Sequence, residues 1–114
     1  MNQTQQPGKI ISLTAAAAID NIYRFVGMGG SLCGAGAKAA GINQIKVEAG
    51  DEVALATNGK LLVEAGGVVT AGAKIKSDAE GRAVDHDTGE VNGWALTGVT
   101  TAGEYVLIVP GMGS

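Results

Sequence analysis

Hydrophobic and polar positions alternate in short runs along most of the chain. Ile45 and Val47 alternate with Lys46 and Glu48, Val53 and Leu55 follow Glu52, and Ile75 sits between Lys74 and Lys76. A period of two places one set of side chains on each face of a strand. Gly, Asn and Asp separate the runs, as turns between strands require. The pattern predicts strands over Ile45–Glu48, Val53–Ala56, Lys60–Val63, Lys74–Lys76, Arg82–Val84, Trp94–Thr97 and Tyr105–Val109. The last run is apolar at every position, which predicts a central strand ended by Pro110. Residues 9–26 read as strands broken near Asp20-Asn21, because the Ala15–Ala18 run is too short for a stable helix. Short strands at this spacing predict an all-β domain, a small barrel or sandwich.

An internal repeat runs through the middle of the chain. Ala49-Gly50 recurs as Ala71-Gly72, Val53 as Ile75, Gly59-Lys60 as Gly81-Arg82 and Leu62 as Val84, always 22 positions on. Each copy reads as a turn, a strand, a Gly-containing turn and a second strand. A third Ala-Gly turn, Ala102-Gly103, precedes the final strand. Gly50, Gly72 and Gly103 are therefore expected in equivalent turns. Between Gly27 and Gly41 glycine is dense and polarity low, which predicts a long loop with a short helical piece at 35–40. Residues 1–8 show no periodicity and read as a polar arm, followed by a single β-domain over 9–114. Gln3, Gln5, Gln6 and Pro7 are the arm residues expected to meet a neighbouring chain.

Composition limits what this domain can do. Hydrophobic residues form 46% of the 114, yet aromatics only 4%, and there are 19 glycines. A core of small side chains with that much glycine gives a lone monomer modest stability. Binding to another chain raises it by mass action. The net charge of −3 has no clustered basic face, which argues against nucleic acid. No apolar run approaches the ~20 residues of a membrane helix. Ile10 to Ile19 imitates a secretory signal, but only Lys9 precedes it behind Pro7 and Gly8, so a basic leader is lacking. One cysteine, Cys33, makes no internal disulfide and reads as a small buried hydrophobe.

Candidate chemistry is thin. Gly34-Ala35-Gly36 with Gly41 lacks the third glycine of a dinucleotide loop, since position 39 is Ala, and Gly59-Lys60 is followed by Leu61 rather than Ser or Thr. Asp85-His86-Asp87 holds metal-ligand types, but neighbouring strand residues face opposite ways. With Thr88-Gly89-Glu90 following, a solvated acidic loop is the better reading. Cys33 and His86 are the only thiol–imidazole pair available, and nothing near either supports catalysis. Ala49-Gly50-Asp51 before a strand also occurs in hammerhead-type carrier domains, but Lys60 lacks their flanking residues. The expectation is a protein with no catalytic, cofactor or metal site.

The stretch from Val68-Val69-Thr70-Ala71-Gly72-Ala73-Lys74-Ile75-Lys76 through Ser77-Asp78-Ala79-Glu80-Gly81-Arg82-Ala83-Val84 resembles the capsid decoration, or cement, proteins of tailed phages. So do Asn92-Gly93-Trp94-Ala95-Leu96 and Thr101-Ala102-Gly103-Glu104-Tyr105-Val106. The resemblance covers residues 45–109 through the order and spacing of its turns and strands. It implies a structural virion protein made in the host cytoplasm and bound to the outer surface of the capsid. Its partners would be the major capsid protein and itself, as a homotrimer or, in some members, a dimer. Two other classes stay open on the residues alone: a β-rich tail or baseplate component, and a small carrier or ligand-binding barrel.

Overall fold

The alternating runs fold into eight strands in a computed structural model that describes residues 6–110. They are β1 (Gln6–Thr14), β2 (Phe25–Gly27), β3 (Ala39–Asn43), β4 (Glu52–Glu64), β5 (Lys74–Ser77), β6 (Ala83–Asp85), β7 (Gly93–Ala95) and β8 (Tyr105–Pro110). The order is β2-β3-β4-β8-β7-β5-β6, with β1 also paired to β4. Every strand pair is antiparallel, and the sheet curls into a nearly closed barrel. The described residues contain no helix.

β4 is the spine, because its buried side chains serve two cores. Val53 and Leu55 join a smaller cluster with Ile19, Val26 and Val47. Ala56, Leu61 and Val63 join a larger one with Phe25, Ile42, Ile75, Val106 and Ile108. Phe25 and Val26 are neighbours on β2, so they point opposite ways and enter different clusters. Each fully buried side chain of this size contributes about 1.5–3 kcal/mol relative to an exposed one. β8 lies between β4 and β7, which suits a strand apolar on both faces.

Several expectations change. Val53–Ala56 and Lys60–Val63 are one continuous strand, while the second copy of the repeat does fold back as β5 and β6. Asp78 explains the difference. Its Oδ1 accepts from the amides of Glu80 and Arg82, each at 2.9 Å, and caps the tip of the hairpin. The equivalent residue of the first copy is Ala56, which has no acceptor and pairs with Ile10 on β1 and Ile42 on β3. Ile45–Glu48 is no strand; only Val47 makes a bridge, to Ile19. The helical piece expected over 35–40 is a turn followed by β3, and β7 ends at Ala95 rather than Thr97. β1 begins at Gln6, so the last three residues expected in the arm are already strand, with Gln6 opposite Lys60 and Pro7 opposite Gly59.

The turns reveal a wider repeat than the sequence does. The amide of Gly50 donates to the carbonyl of Ala15, whose own amide donates to Asp51, both at 2.8 Å. The Gly72 turn clasps Ala95 in the same way, through Ala73, and the Gly103 turn clasps Ala65, through Glu104. The fourth member is Tyr23, whose amide donates to Asn43 while the Asn43 amide donates to Arg24. Four residues beyond each clasped residue stand Ile19, Val99, Val69 and Val47, which bridge pairwise as Ile19–Val47 and Val69–Val99. The fold thus contains one clasp-and-bridge unit twice. The three glycines have φ of +91°, +84° and +95°.

Candidate interaction surface

Cys33, Asp85, His86 and Asp87 each have a partner of their own. Cys33 is buried, its Sγ donates to the Ala37 carbonyl at 3.2 Å, and burial pushes its thiol up. The His86 ring bonds the Gly89 carbonyl at 2.9 Å through Nε2, not the thiol. Asp85 accepts from the amide and hydroxyl of Thr70, both at 2.9 Å. Asp87 binds Lys76, whose ammonium holds that carboxyl below the usual carboxylate range. The Asp85-His86-Asp87 run therefore serves three separate partners. Among the described residues, no group of three His, Cys, Asp or Glu side chains could hold a metal ion.

The glycine loop is close-packed. Gly36 donates to the Ser77 carbonyl and accepts from Glu90, both at 2.9 Å. A Cβ added at Gly89 would lie 2.8 Å from the Gly36 Cα. At Gly36 and Gly89 the missing side chains allow backbone to approach backbone. Asp20, Lys46, Val47, Glu48 and Asp51 line a shallow, open depression.

Arg24 and Glu64 form the main buried ion pair. Nε and Nη2 of Arg24 reach Glu64 Oε1 at 3.2 and 3.1 Å, and Nη1 donates to the Glu80 carbonyl at 3.0 Å. Asn43 supplies the Arg24 amide with its Oδ1 at 2.8 Å. Arg24 is thus held by Glu64, Glu80 and Asn43 from three separate segments, so the cluster is structural.

What the fold does expose is apolar. On β8, Tyr105, Leu107 and Val109 alternate with the buried Val106 and Ile108, so they stand on the outer face. Trp94 on β7 pairs with Val109, and Leu62 on β4 pairs with Leu107. Trp94, Leu96, Tyr105 and Val109 are 42–45% exposed, an unusual surplus of large apolar groups on one sheet face. Tyr23 borders it: its ring meets that of Tyr105 edge-to-face, with centroids 5.5 Å apart and planes at 87°.

Of the residues expected to touch a partner, Gln3 and Gln5 lie outside the described residues, and Gln6 and Pro7 open β1. Gly50, Gly72 and Gly103 lie in the clasping turns, where an added Cβ would meet nothing within 4 Å. The apolar outer face was foreshadowed only by β8 being apolar at every position. Tyr23 carried no signal, since its equivalence to Gly103 depends on hydrogen bonds that sequence does not display.

No curated protein matches the chain. Among solved structures, the N base of the head fiber gp8.5 of bacteriophage phi29 shares the fold, with a TM-score of 0.72 at 22% identity over 90% of this chain and 94% of that one. The model of a phage cement protein family matches residues 5–110, which takes in all eight strands, both clasp-and-bridge units and the apolar face, and the chain belongs to that family.

Proposed function

We infer that this chain binds the outer surface of a phage capsid and stabilises the shell by bridging capsid subunits, acting as an oligomer, most simply a homotrimer. The family match over residues 5–110 carries the reading. The physical character of the molecule supports it. Large apolar groups lie on an open sheet face, and Cys33, Asp85 and Asp87 are each engaged within the chain. Such a surface suits many modest contacts repeated over a shell, where bridging several subunits at once multiplies weak affinities. The N-terminal segment, with Gln3 and Gln5 ahead of β1 and Gln6 and Pro7 at its start, is the part of the chain proposed to extend the footprint onto a neighbouring subunit. Extra contacts across subunit boundaries stabilise the assembled state relative to the dissociated one.

Heating bare and decorated expanded heads tests the reading. Decorated heads should be disrupted at a higher temperature, graded with occupancy, and purified protein added to bare heads should restore the difference. Cys33→Ala and His86→Ala should rescue as wild type does. Equal disruption temperatures for bare and decorated heads would refute stabilisation and leave surface recognition as the better account.

A further inference from the structure

An Asn-Gly step is where a backbone nitrogen most readily attacks a side chain, because glycine has no Cβ to hinder the approach. The chain holds two such steps, Asn58-Gly59 and Asn92-Gly93. The fold treats them oppositely. Asn92 is fully buried; its Oδ1 accepts from the Ala39 amide and its Nδ2 donates to the Ala37 carbonyl, both at 3.0 Å. Its own amide donates to the Ile75 carbonyl at 2.9 Å, and Gly93 pairs with Ile75 and Pro110. Asn58 and Gly59 are both exposed, and no described residue bonds the Asn58 side chain. The ladder is also weakest there. β3 pairs with Leu55 and Ala56 only, and β8 starts its pairing at Leu61. Between them β1 alone pairs with β4, and its register slips on both sides of Lys9, the residue opposite Asn58. Pro7, opposite Gly59, has no amide to donate. Gly59 has a φ of +94°, outside regular strand geometry.

We propose that Asn58 is a modification site, at which the folded chain deamidates itself in water. The Gly59 nitrogen bonds to Asn58 Cγ and gives up its proton. The Cγ–Nδ2 bond breaks, and Nδ2 leaves with that proton as ammonia, closing a succinimide ring. Water then opens the ring at either carbonyl, giving aspartate or isoaspartate, and no other reactant is needed. Ring closure requires Asn58 to leave its extended conformation. The gap in the ladder allows this by a local opening, whereas Asn92 is freed only when the sheet comes apart. Either product places a carboxylate opposite Lys9 and two positions from Lys60. Isoaspartate also routes the backbone through Cγ and adds one atom to β4. Gln6 and Pro7 then lose register with Lys60 and Gly59, so the start of β1 is released.

Ageing the purified full chain at mildly alkaline pH, with peptide mapping by mass spectrometry and an isoaspartate-specific methylation assay, tests this. In the folded chain Asn58 should convert at least about tenfold faster than Asn92, and in urea, where neither is held, the two rates should agree within about threefold. Asn58→Gln, whose longer side chain closes its ring far more slowly, should stay unconverted over the same period and leave the Asn92 rate unchanged. Equal rates at the two steps in the folded chain, or a difference that persists in urea, would overturn the proposal, the second by tracing the difference to sequence instead of fold. In the isolated isoaspartyl product, amide hydrogen exchange at the start of β1 should quicken at least about tenfold while β8 keeps its protection. Unchanged exchange on β1 would overturn the loss of register.

Discussion

Tyr23 has a φ of 60°, the only positive value on a non-glycine residue among those described, and it does the job that glycine does at its three counterparts. A left-handed conformation costs a residue with a Cβ about 1–2 kcal/mol. The edge-to-face contact with Tyr105 contributes about 0.5–1.5 kcal/mol beyond the area it buries. The two are of similar size, so one ring contact nearly offsets the backbone strain. Tyr23→Ala keeps the strain and loses the ring, whereas Tyr23→Gly loses the ring and relieves the strain. After the extra freedom glycine gives the unfolded chain, Tyr23→Gly should be more stable than Tyr23→Ala by about 0.5–1 kcal/mol. The mirror experiment is Gly72→Ala. Its Cβ would enter open space, so its net cost, about 0.5–1 kcal/mol after the freedom alanine removes from the unfolded chain, is conformational alone. Urea denaturation reads all three. Equal stability of the two Tyr23 variants would mean that no strain resides there.

At the scale of elements, one carboxylate separates a hairpin from a straight strand. Besides its two amide partners, Asp78 accepts from Arg82 Nε at 3.1 Å, and its own amide donates to the Arg82 carbonyl at 2.8 Å. Asp78→Ala should cost about 2 kcal/mol, because it strands two amides and a partly buried guanidinium. Asp78→Asn keeps an acceptor for the amides and should cost less. Denaturation midpoints should fall in that order with the urea slope unchanged, since the rest of the sheet still unfolds as one. A loss as large for Asn as for Ala would place the effect in the ion pair instead of the turn. The hairpin also marks the limit of what sequence shows. The alternation at 74–76, the apolar run at 105–109, the all-β class and the 22-residue repeat were legible, because each is written in the order of residues along the chain. The continuity of β4 was not, because it depends on β1 and β3 holding Ala56 extended from either side. Nor was the second clasp-and-bridge unit, whose members Ala15 and Asn43, or Ala65 and Ala95, meet only through distant pairings. The outer face of β8 was legible as apolar, but that Trp94, Lys60 and Lys74 share it follows only once register is known.

At the scale of the whole molecule, the two cores are joined through β2 and β4, so neither closes without the other. Cys33 reports on that coupling. It lies in the larger cluster, buried beside residues from β2, β3, β4 and β8. Burial raises its thiol, so little thiolate forms at neutral pH, and reagent reaches the sulfur only when the cluster opens. Alkylation in native buffer should therefore be slower than in the urea-unfolded chain by about a thousandfold or more, tracking the small population of open molecules. With so few aromatics, a lone chain should sit near the low end of domain stability. Self-association then adds protection, because a bound copy stabilises the closed form and leaves the open one unaffected. The labelling rate should accordingly fall as protein concentration rises through the association range. A rate independent of concentration in an associating wild type would show that the cluster opens inside the oligomer. Fast labelling at all concentrations would show that the region around Cys33 opens locally, without release of the sheet.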